Sequence, residues 1–418
     1  MSDFTREDIE RMGSGNAVSP DTPVRRILIH QPEVVMRDGR AVLRAQIELG
    51  DVSKEVEFST DAEYAQYLCY ERSDAFLIGM LSVAMRERCD IYCEAPVTRE
   101  LIHQLRTELL PTLSRYDKAI YHVRIFAETS DEPLPCAGKI GTGCSCGIDS
   151  FYAIQSLSND PDFKLDYLTL NNVGAYEVHR GVYSREHYLE DKENAAAFAE
   201  EYGYKLIVTD SNFAESFPQH HLFTHLYSSA FAIYAMRKLW KRYYYASTGC
   251  DMQDYFGLDN NHLNDAGKTD LVVLPALSIP SLRICNQGMG VPRFEKTRAL
   301  ADYEPAQRHL NVCYIQGKRG CGTCGKCLRT MWILDALGKL DNFREVFNVD
   351  AYRAQYRRNL MQLYFLHRIG THMLSEAYDV LKGRISLWMR VPGELWYQLR
   401  KISFIHTLGR RLKRKLKG

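Results

Sequence analysis

Gly141-Thr-Gly-Cys-Ser-Cys-Gly-Ile-Asp-Ser150, continuing as Phe151-Tyr-Ala-Ile154, is the stretch whose reading decides the fold. It reads as a buried strand, a tight glycine loop and a helix. Gly147 supplies backbone freedom and lets a ligand approach closely. Ser145, Asp149 and Ser150 put small polar groups on the turn. A helix opening at about Ser150 aims its free N–H groups and positive dipole end at the same place. The physical expectation is a phosphate cradle. A serine- and glycine-rich turn without a ligand is the competing reading.

Outward from this loop, strand-like and helix-like segments alternate, which predicts a parallel sheet covered by helices on both faces. Lys139 to Cys144 is the first strand, Leu165 to Leu170 the second, Lys205 to Thr209 the third and Tyr243 to Ser247 the fourth. Helices are expected over 186–202 and 221–239, and Leu271-Val-Val-Leu274 starts a further buried segment. Ligands of open parallel sheets bind beyond the carboxyl ends of the strands. Polar segments fall there: Asn171-Asn-Val-Gly174, Asp210-Ser-Asn212 and Thr248-Gly-Cys-Asp-Met-Gln-Asp254. Each taken singly also reads as an ordinary polar turn.

Upstream, residues 1–20 form a polar, flexible lead-in. Residues 21–130 read as a small α+β domain. Strands are expected at Arg26–His30, Val34–Met36, Ala41–Leu49, Val56–Phe58, Ile91–Cys93 and Ile120–Ile125. Arg37-Asp-Gly-Arg40 is a hairpin turn of the Asp-Gly kind. Helices are expected over 61–71 and 73–87, and Thr98 caps another running to about Leu113. Ser130-Asp-Glu-Pro-Leu-Pro135 is the linker to a second domain, 136–350, followed by a helical region, 351–418. His30, His103 and His122 stand alone and read as structural.

Cys313, Cys321, Cys324 and Cys327 have the spacing C-x7-C-x2-C-x2-C. Each C-x2-C step lets two thiolates bite one ion, and Gly320, Gly322 and Gly325 permit the tight turns this needs. Four thiolates close a tetrahedral zinc shell, so such a zinc is structural. An iron–sulfur cluster is the alternative. Lys318, Arg319, Lys326 and Arg329 interleave with the ligands and either offset the charge of a tetrathiolate centre or face a phosphate.

These two motifs carry a resemblance. Ser145-Cys-Gly-Ile-Asp-Ser150 resembles the Ser-Gly-Gly-x-Asp-Ser loop of the PP-loop ATP pyrophosphatases, with Cys146 at the family's first glycine. The cysteine cluster, with Arg329 two places beyond its last member, is similar to the zinc knuckle of 7-cyano-7-deazaguanine synthases. Thr248-Gly249 and Asp254 match a Thr-Gly and aspartate of those enzymes. The resemblance covers roughly 139–330. Over that span it implies an α/β, doubly wound, mostly parallel sheet of the PP-loop type; the α+β domain that precedes it and the helical basic tail that follows it lie outside the resemblance. It also implies a ligase-like activity. ATP is split to AMP and pyrophosphate, a carboxylate or carbonyl oxygen of a small molecule, glycan or peptide is adenylated, and ammonia or an amine displaces AMP. In that scheme the backbone of Cys146, Gly147, Ile148, Asp149 and Ser150, with Ser145, holds the pyrophosphate. Asp149 positions the loop and Mg2+, and Asn171 or Asn172 faces adenine or ribose. Asp254 acts on the acceptor, while Lys296 and Arg329 steady the developing charge. Pro292-Arg293 and Lys296 are candidates for holding an acceptor carboxylate or phosphate. Two alternatives stand beside this reading. One is sulfur transfer, with tRNA as candidate acceptor, through a cysteine such as Cys144, Cys146, Cys250 or Cys285. The other is a nucleotide-binding module without catalysis.

At 418 residues and net charge +1, the chain has no global field to steer partners. It has no apolar run long enough to span a bilayer, and the charged start Met1-Ser-Asp-Phe-Thr-Arg-Glu-Asp-Ile-Glu10 has no signal-peptide core. The expected compartment is the cytoplasm, where twelve cysteines read as thiols or metal ligands. From 382 to 418 the chain carries eleven Lys or Arg against one acid, with Leu395, Leu399, Ile402, Ile405, Leu408, Leu412 and Leu416 at helical spacing. Such a basic amphipathic helix predicts peripheral contact at the inner membrane face through 395–417. RNA contact and plain packing are the alternatives, and a homodimer is the candidate assembly.

Overall fold

The Asp-Gly turn folds as its residues dictate. Asp38 (φ 50°) and Gly39 (φ 74°) are both left-handed, the pair of conformations a two-residue type I′ hairpin needs. In the computed structural model, which describes residues 25–117, 120–179, 182–248, 266–313, 320–371 and 374–399, strand β1 (Arg25–Ile29) leads to this hairpin of β2 (Glu33–Arg37) and β3 (Arg40–Leu49). β4 (Val52–Asp61) returns along the whole of β3, from Leu49 opposite Val52 to Arg40 opposite Asp61. β1 and β2 lie on the other edge of β3, pairing its far and near halves.

Helix α1 (Asp74–Glu87) buries every residue from Asp74 to Met85, as expected of a run apolar on most faces. β5 (Cys89–Cys93) then pairs in parallel with β1, and β6 (Ile125–Phe126) with β5. Two local expectations differ. The helix read at 61–71 is a 3-10 turn, Ala62–Tyr67, with no buried residue to anchor it. The strand read at 120–125 is confined to its end, because the buried Asp90 draws the preceding residues to itself. It accepts from Tyr121 OH (3.3 Å), Arg124 N (3.1 Å) and Arg124 Nε (3.0 Å).

Beyond Pro135 the alternation holds: β7 (Lys139–Gly143), α2 (Ile148–Ser158), β8 (Tyr167–Asn172), α3 (Arg185–Glu201), β9 (Leu206–Ser211), α4 (His221–Ala235), β10 (Trp240–Ala246), α5 (Asp270–Ala276) and β11 (Arg283–Gln287). The apolar run at 271–274 is thus helical. The five strands are parallel, in the order β11-β10-β7-β8-β9. Counted within this segment the order is 3-2-1-4-5 read from β9, so it reverses between β7 and β10. Gly141 in the central β7 has a packing reason: a Cβ there would lie 2.6 Å from the Trp240 ring.

The sheet does not stop at the proline-rich linker. β9 pairs antiparallel with β4, Asp210 opposite Ser59 and Ser211 opposite Phe58, joining both segments into one 11-stranded sheet. One hydrophobic core accordingly runs from Ile27 to Ile284. The linker itself is held down, since Arg72 donates to Ser130 Oγ (2.6 Å) and to the Glu132 carbonyl (3.2 Å). The chain groups into two units, 1–145 with 149–290, and 291–418 with 146–148. The sheet therefore lies in one unit, whereas the sequence reading divides it at the linker.

In the second unit the described residues are helical: α6 (Arg293–Leu300), α7 (Glu304–His309), α8 (Gly325–Ala336), α9 (Val349–Ala354), α10 (Tyr356–Arg368), α11 (Ser375–Leu381) and a final helix over 387–399. Trp332, Phe343 and Phe347 fill its centre. The lead-in 1–20, Asp254, Lys318, Arg319 and residues 400–418 of the tail lie outside the described residues.

Candidate functional site

In the first unit, the strand order reverses between β7 and β10. A crevice outside the carboxyl ends of such strands is where open α/β sheets bind ligands. The carboxyl end of β7 is tied to its neighbour by Cys144 N–H donating to the Thr169 carbonyl (2.8 Å). The turn then follows, and its left-handed residue is Cys146 (φ 53°). The sequence reading gives that freedom to Gly147, which is not among the residues with positive φ. Cys146, at the position where the resemblance has a glycine, is therefore a non-glycine residue in the left-handed region, and its side chain is buried. α2 begins at Ile148, two residues earlier than expected. Ser145 Oγ donates to Ser150 Oγ across the turn (3.3 Å), and Ser145 itself is exposed.

A left-handed non-glycine residue costs about 1–2 kcal/mol. Cys146→Gly releases that strain while losing the packing of a small buried thiol, so its stability is expected within about 1 kcal/mol of the parent. Cys146→Val, β-branched at positive φ, is expected to lose about 2 kcal/mol or more. Chemical denaturation of the two variants checks the conformation; equal stability of both would contradict it.

At the end of β8, Asn171 and Asn172 are held by side chains. Asn171 donates to Thr169 Oγ1 (3.0 Å) and accepts from Thr209 Oγ1 (2.8 Å). Asn172 donates to Asp210 Oδ1 (2.7 Å), whose other oxygen meets Arg185 (2.5 Å). Both amides are thus ordered by the carboxyl ends of β8 and β9.

Two residues absent from the sequence reading lie next to β10. Asp270, buried in the first turn of α5, accepts from Ser247 Oγ (2.7 Å). Burial pushes its carboxyl above the ordinary aspartate range, while the Ser247 and Asn286 side chains pull it back. Asn286, on β11, has both amide atoms buried, beside the Asp270 carboxyl. An acid opening an apolar run reads as an ordinary first-turn residue, so the sequence offers no signal for Asp270.

Lys296 and Arg329 belong to the second unit. Lys296 is 0% exposed, within α6, and Arg329 is half-buried on α8. In the same unit, the sulfur atoms of Cys313, Cys321, Cys324 and Cys327 lie within 4.8 Å of one another. Four sulfurs about 2.3 Å from a tetrahedral zinc stand about 3.8 Å apart, and Cys313 Sγ and Cys324 Sγ are separated by 4.0 Å. The set fits a metal ion.

The glycines explain how the chain turns this tightly. Gly322 (φ 74°) is left-handed, and a Cβ on it would meet the Asn348 carbonyl at 2.7 Å. A Cβ on Gly320 would meet the Phe347 ring at 2.7 Å and Cys327 Sγ at 3.1 Å. Cys324 caps α8, its sulfur accepting from Cys327 N–H (3.5 Å). Burial pushes the Cys321 thiol up. Hydrogen bonds from the Thr323 side chain and amide (3.5 Å each) and from Cys324 N–H (3.2 Å) outweigh it and bring the thiol down to about 6. Donors of this kind favour the thiolate that binds metal.

The chain matches no family model, no curated protein and no solved structure.

Proposed function

We propose that the chain is an ATP pyrophosphatase of the PP-loop kind, which activates an acceptor oxygen by adenylation. One observation carries the reading. The loop that resembles the family's has a left-handed residue at the family's first glycine position, and it leaves the central strand where the sheet order reverses. There, amides of 146–150 and the start of α2 suit an anionic pyrophosphate, and Ser145 and Ser150 add hydroxyls. In the proposed step the acceptor oxygen attacks the α-phosphorus. The bond to the α,β-bridging oxygen breaks, pyrophosphate leaves with the electron pair, and an amine or ammonia then displaces AMP. Asp149 would hold Mg2+, which supplies charge neutralisation for the leaving pyrophosphate. Asp270 and Asn286 extend the polar lining next to β10. The four-cysteine centre would carry a structural zinc. Sulfur transfer through the loop finds less support: Cys144 and Cys146 are each 1% exposed, which leaves their thiols little access to a persulfide donor, while Cys285 is half-buried and Cys250 lies outside the described residues.

The test is ATP–pyrophosphate exchange with Mg2+, with and without a metabolite extract. Exchange is expected to require the extract and to fall about a hundredfold or more in Asp149→Ala and in Ser150→Ala, the scale for losing a group aimed at developing charge. Exchange unchanged in both variants would refute the assignment.

A further inference from the structure

We propose that residues 387–399 dock this protein on a bilayer surface rich in anionic lipid, an inference that does not depend on the ATP reading. One face of this helix is fastened to the second unit. A Cβ on Gly393 would meet Tyr364 at 2.7 Å, so the helix presses close to α10 there. Glu394 accepts from Arg368 Nε (2.8 Å) and Nη2 (3.1 Å), and from Tyr364 OH (3.3 Å). The Arg368 guanidinium, with Gln398, holds the Glu394 carboxyl down at about 2. Arg368 also lies 4.7 Å over the Tyr397 ring, and Phe365 meets Trp396 edge to face at 5.8 Å.

The opposite face is thereby fixed outward, and it is apolar except for Gln398, whose amide donates back to Glu394 Oε1 (2.8 Å). At 100° per residue, Leu387, Val391, Leu395, Trp388 and Leu399 fall within one third of the helix circumference. Leu387 is 73% exposed, Trp388 85% and Leu395 61%. Single exposed apolar residues are ordinary, but an aligned stripe of them marks an interaction surface.

Charge selects the occupant. Residues 382–418 carry eleven Lys or Arg against Glu394 alone, or +10, in a chain of net +1, so the remaining residues sum to −9. A stripe of Leu, Val and Trp flanked by this basic sequence is complementary to an interface with acyl chains below and anionic headgroups above. RNA would use the charge and leave the aliphatic stripe in water. A second copy apposing its own helix would bring two +10 segments together.

The experiment is sedimentation of the full chain with vesicles of phosphatidylcholine alone and of phosphatidylcholine with about a third phosphatidylglycerol, read together with tryptophan emission. Binding to the anionic vesicles is expected to be about tenfold tighter or more, with a blue shift. Trp240 and Trp332 are already 1% exposed, so that shift reports Trp388 and Trp396. The variant Trp388→Ala with Leu395→Asp is expected to lose the shift and about tenfold or more of the binding. It touches no residue of the phosphate loop, so ATP–pyrophosphate exchange in solution should stay as in the parent. Equal binding to both vesicles, or an unchanged variant, would overturn the proposal. So would a lipid-free dimer that this variant dissociates, or RNA binding lost in the variant while vesicle binding persists.

Discussion

Exchange of Cys327 for serine is expected to strip the bound metal from the second unit and to loosen the start of α8. Metal analysis of the parent should give one zinc per chain, and of the variant close to none. Four thiolates make a closed shell, and the free energy of such a site is folding free energy, about 10–16 kcal/mol in small zinc domains. Cys327 is buried, and it sits one residue before Leu328 and five before Trp332, both in the core of that unit. Without a cation, burial pushes the Cys327 thiol far up, with the neighbouring thiols of Cys313 and Cys324 adding to the shift. Thiolate clustering therefore needs the ion. The serine variant, and the parent treated with a chelator, should both show the Trp332 emission moving to the red and a transition at lower denaturant. A parent isolated without metal, yet as stable with chelator as without, would refute the centre.

The second large effect lies in the first unit. Arg237 (8% exposed) forms an ion pair with Asp74 (1%) and also donates to Thr98 Oγ1 (2.7 Å) and Ser281 Oγ (3.3 Å). Asp74 further accepts from Thr98 N–H (2.8 Å) and Thr98 Oγ1 (2.6 Å). Arg237→Met leaves this carboxylate buried without its cation, and a loss of about 3–5 kcal/mol is expected. Combining it with Asp74→Asn removes the stranded charge, so the double variant should recover about 1–2 kcal/mol relative to Arg237→Met. Urea unfolding of the two single variants and the double one measures this coupling. Strict additivity would show that the pair does not act as a unit.

The same network shows where sequence reading reaches its limit. Thr98 stands at the N-cap position its identity suggests, yet its hydroxyl serves Asp74 instead of the helix it precedes. Three local signals are legible in the sequence. The Asp38-Gly39 turn, the alternating strands and helices from Lys139 on, and the C-x2-C steps each depend on neighbours in sequence. The pairing of β9 with β4 depends on residues about 150 positions apart, for which the chain has no local mark. Short apolar runs are ambiguous in another way: Leu271-Val-Val-Leu274 is too brief for its period to separate strand from helix. At the site, the loop residues were legible as a contiguous motif. Asp270 and Asn286 were not, because topology alone brings them beside β10.

The seam between β4 and β9 has a consequence for solubility. A parallel sheet ending at β9 would present a row of unpaired amides and carbonyls to any other strand. Here Ser59 and Phe58 pair with it. Ser211 Oγ donates to the Glu57 carbonyl (2.5 Å), Asn212 Oδ1 accepts from Glu57 N–H (2.8 Å), and Arg40 reaches the Val208 carbonyl (3.2 Å). The first hundred or so described residues thus act as a guard on that edge, and a fragment starting after the linker would bare a template for aggregation.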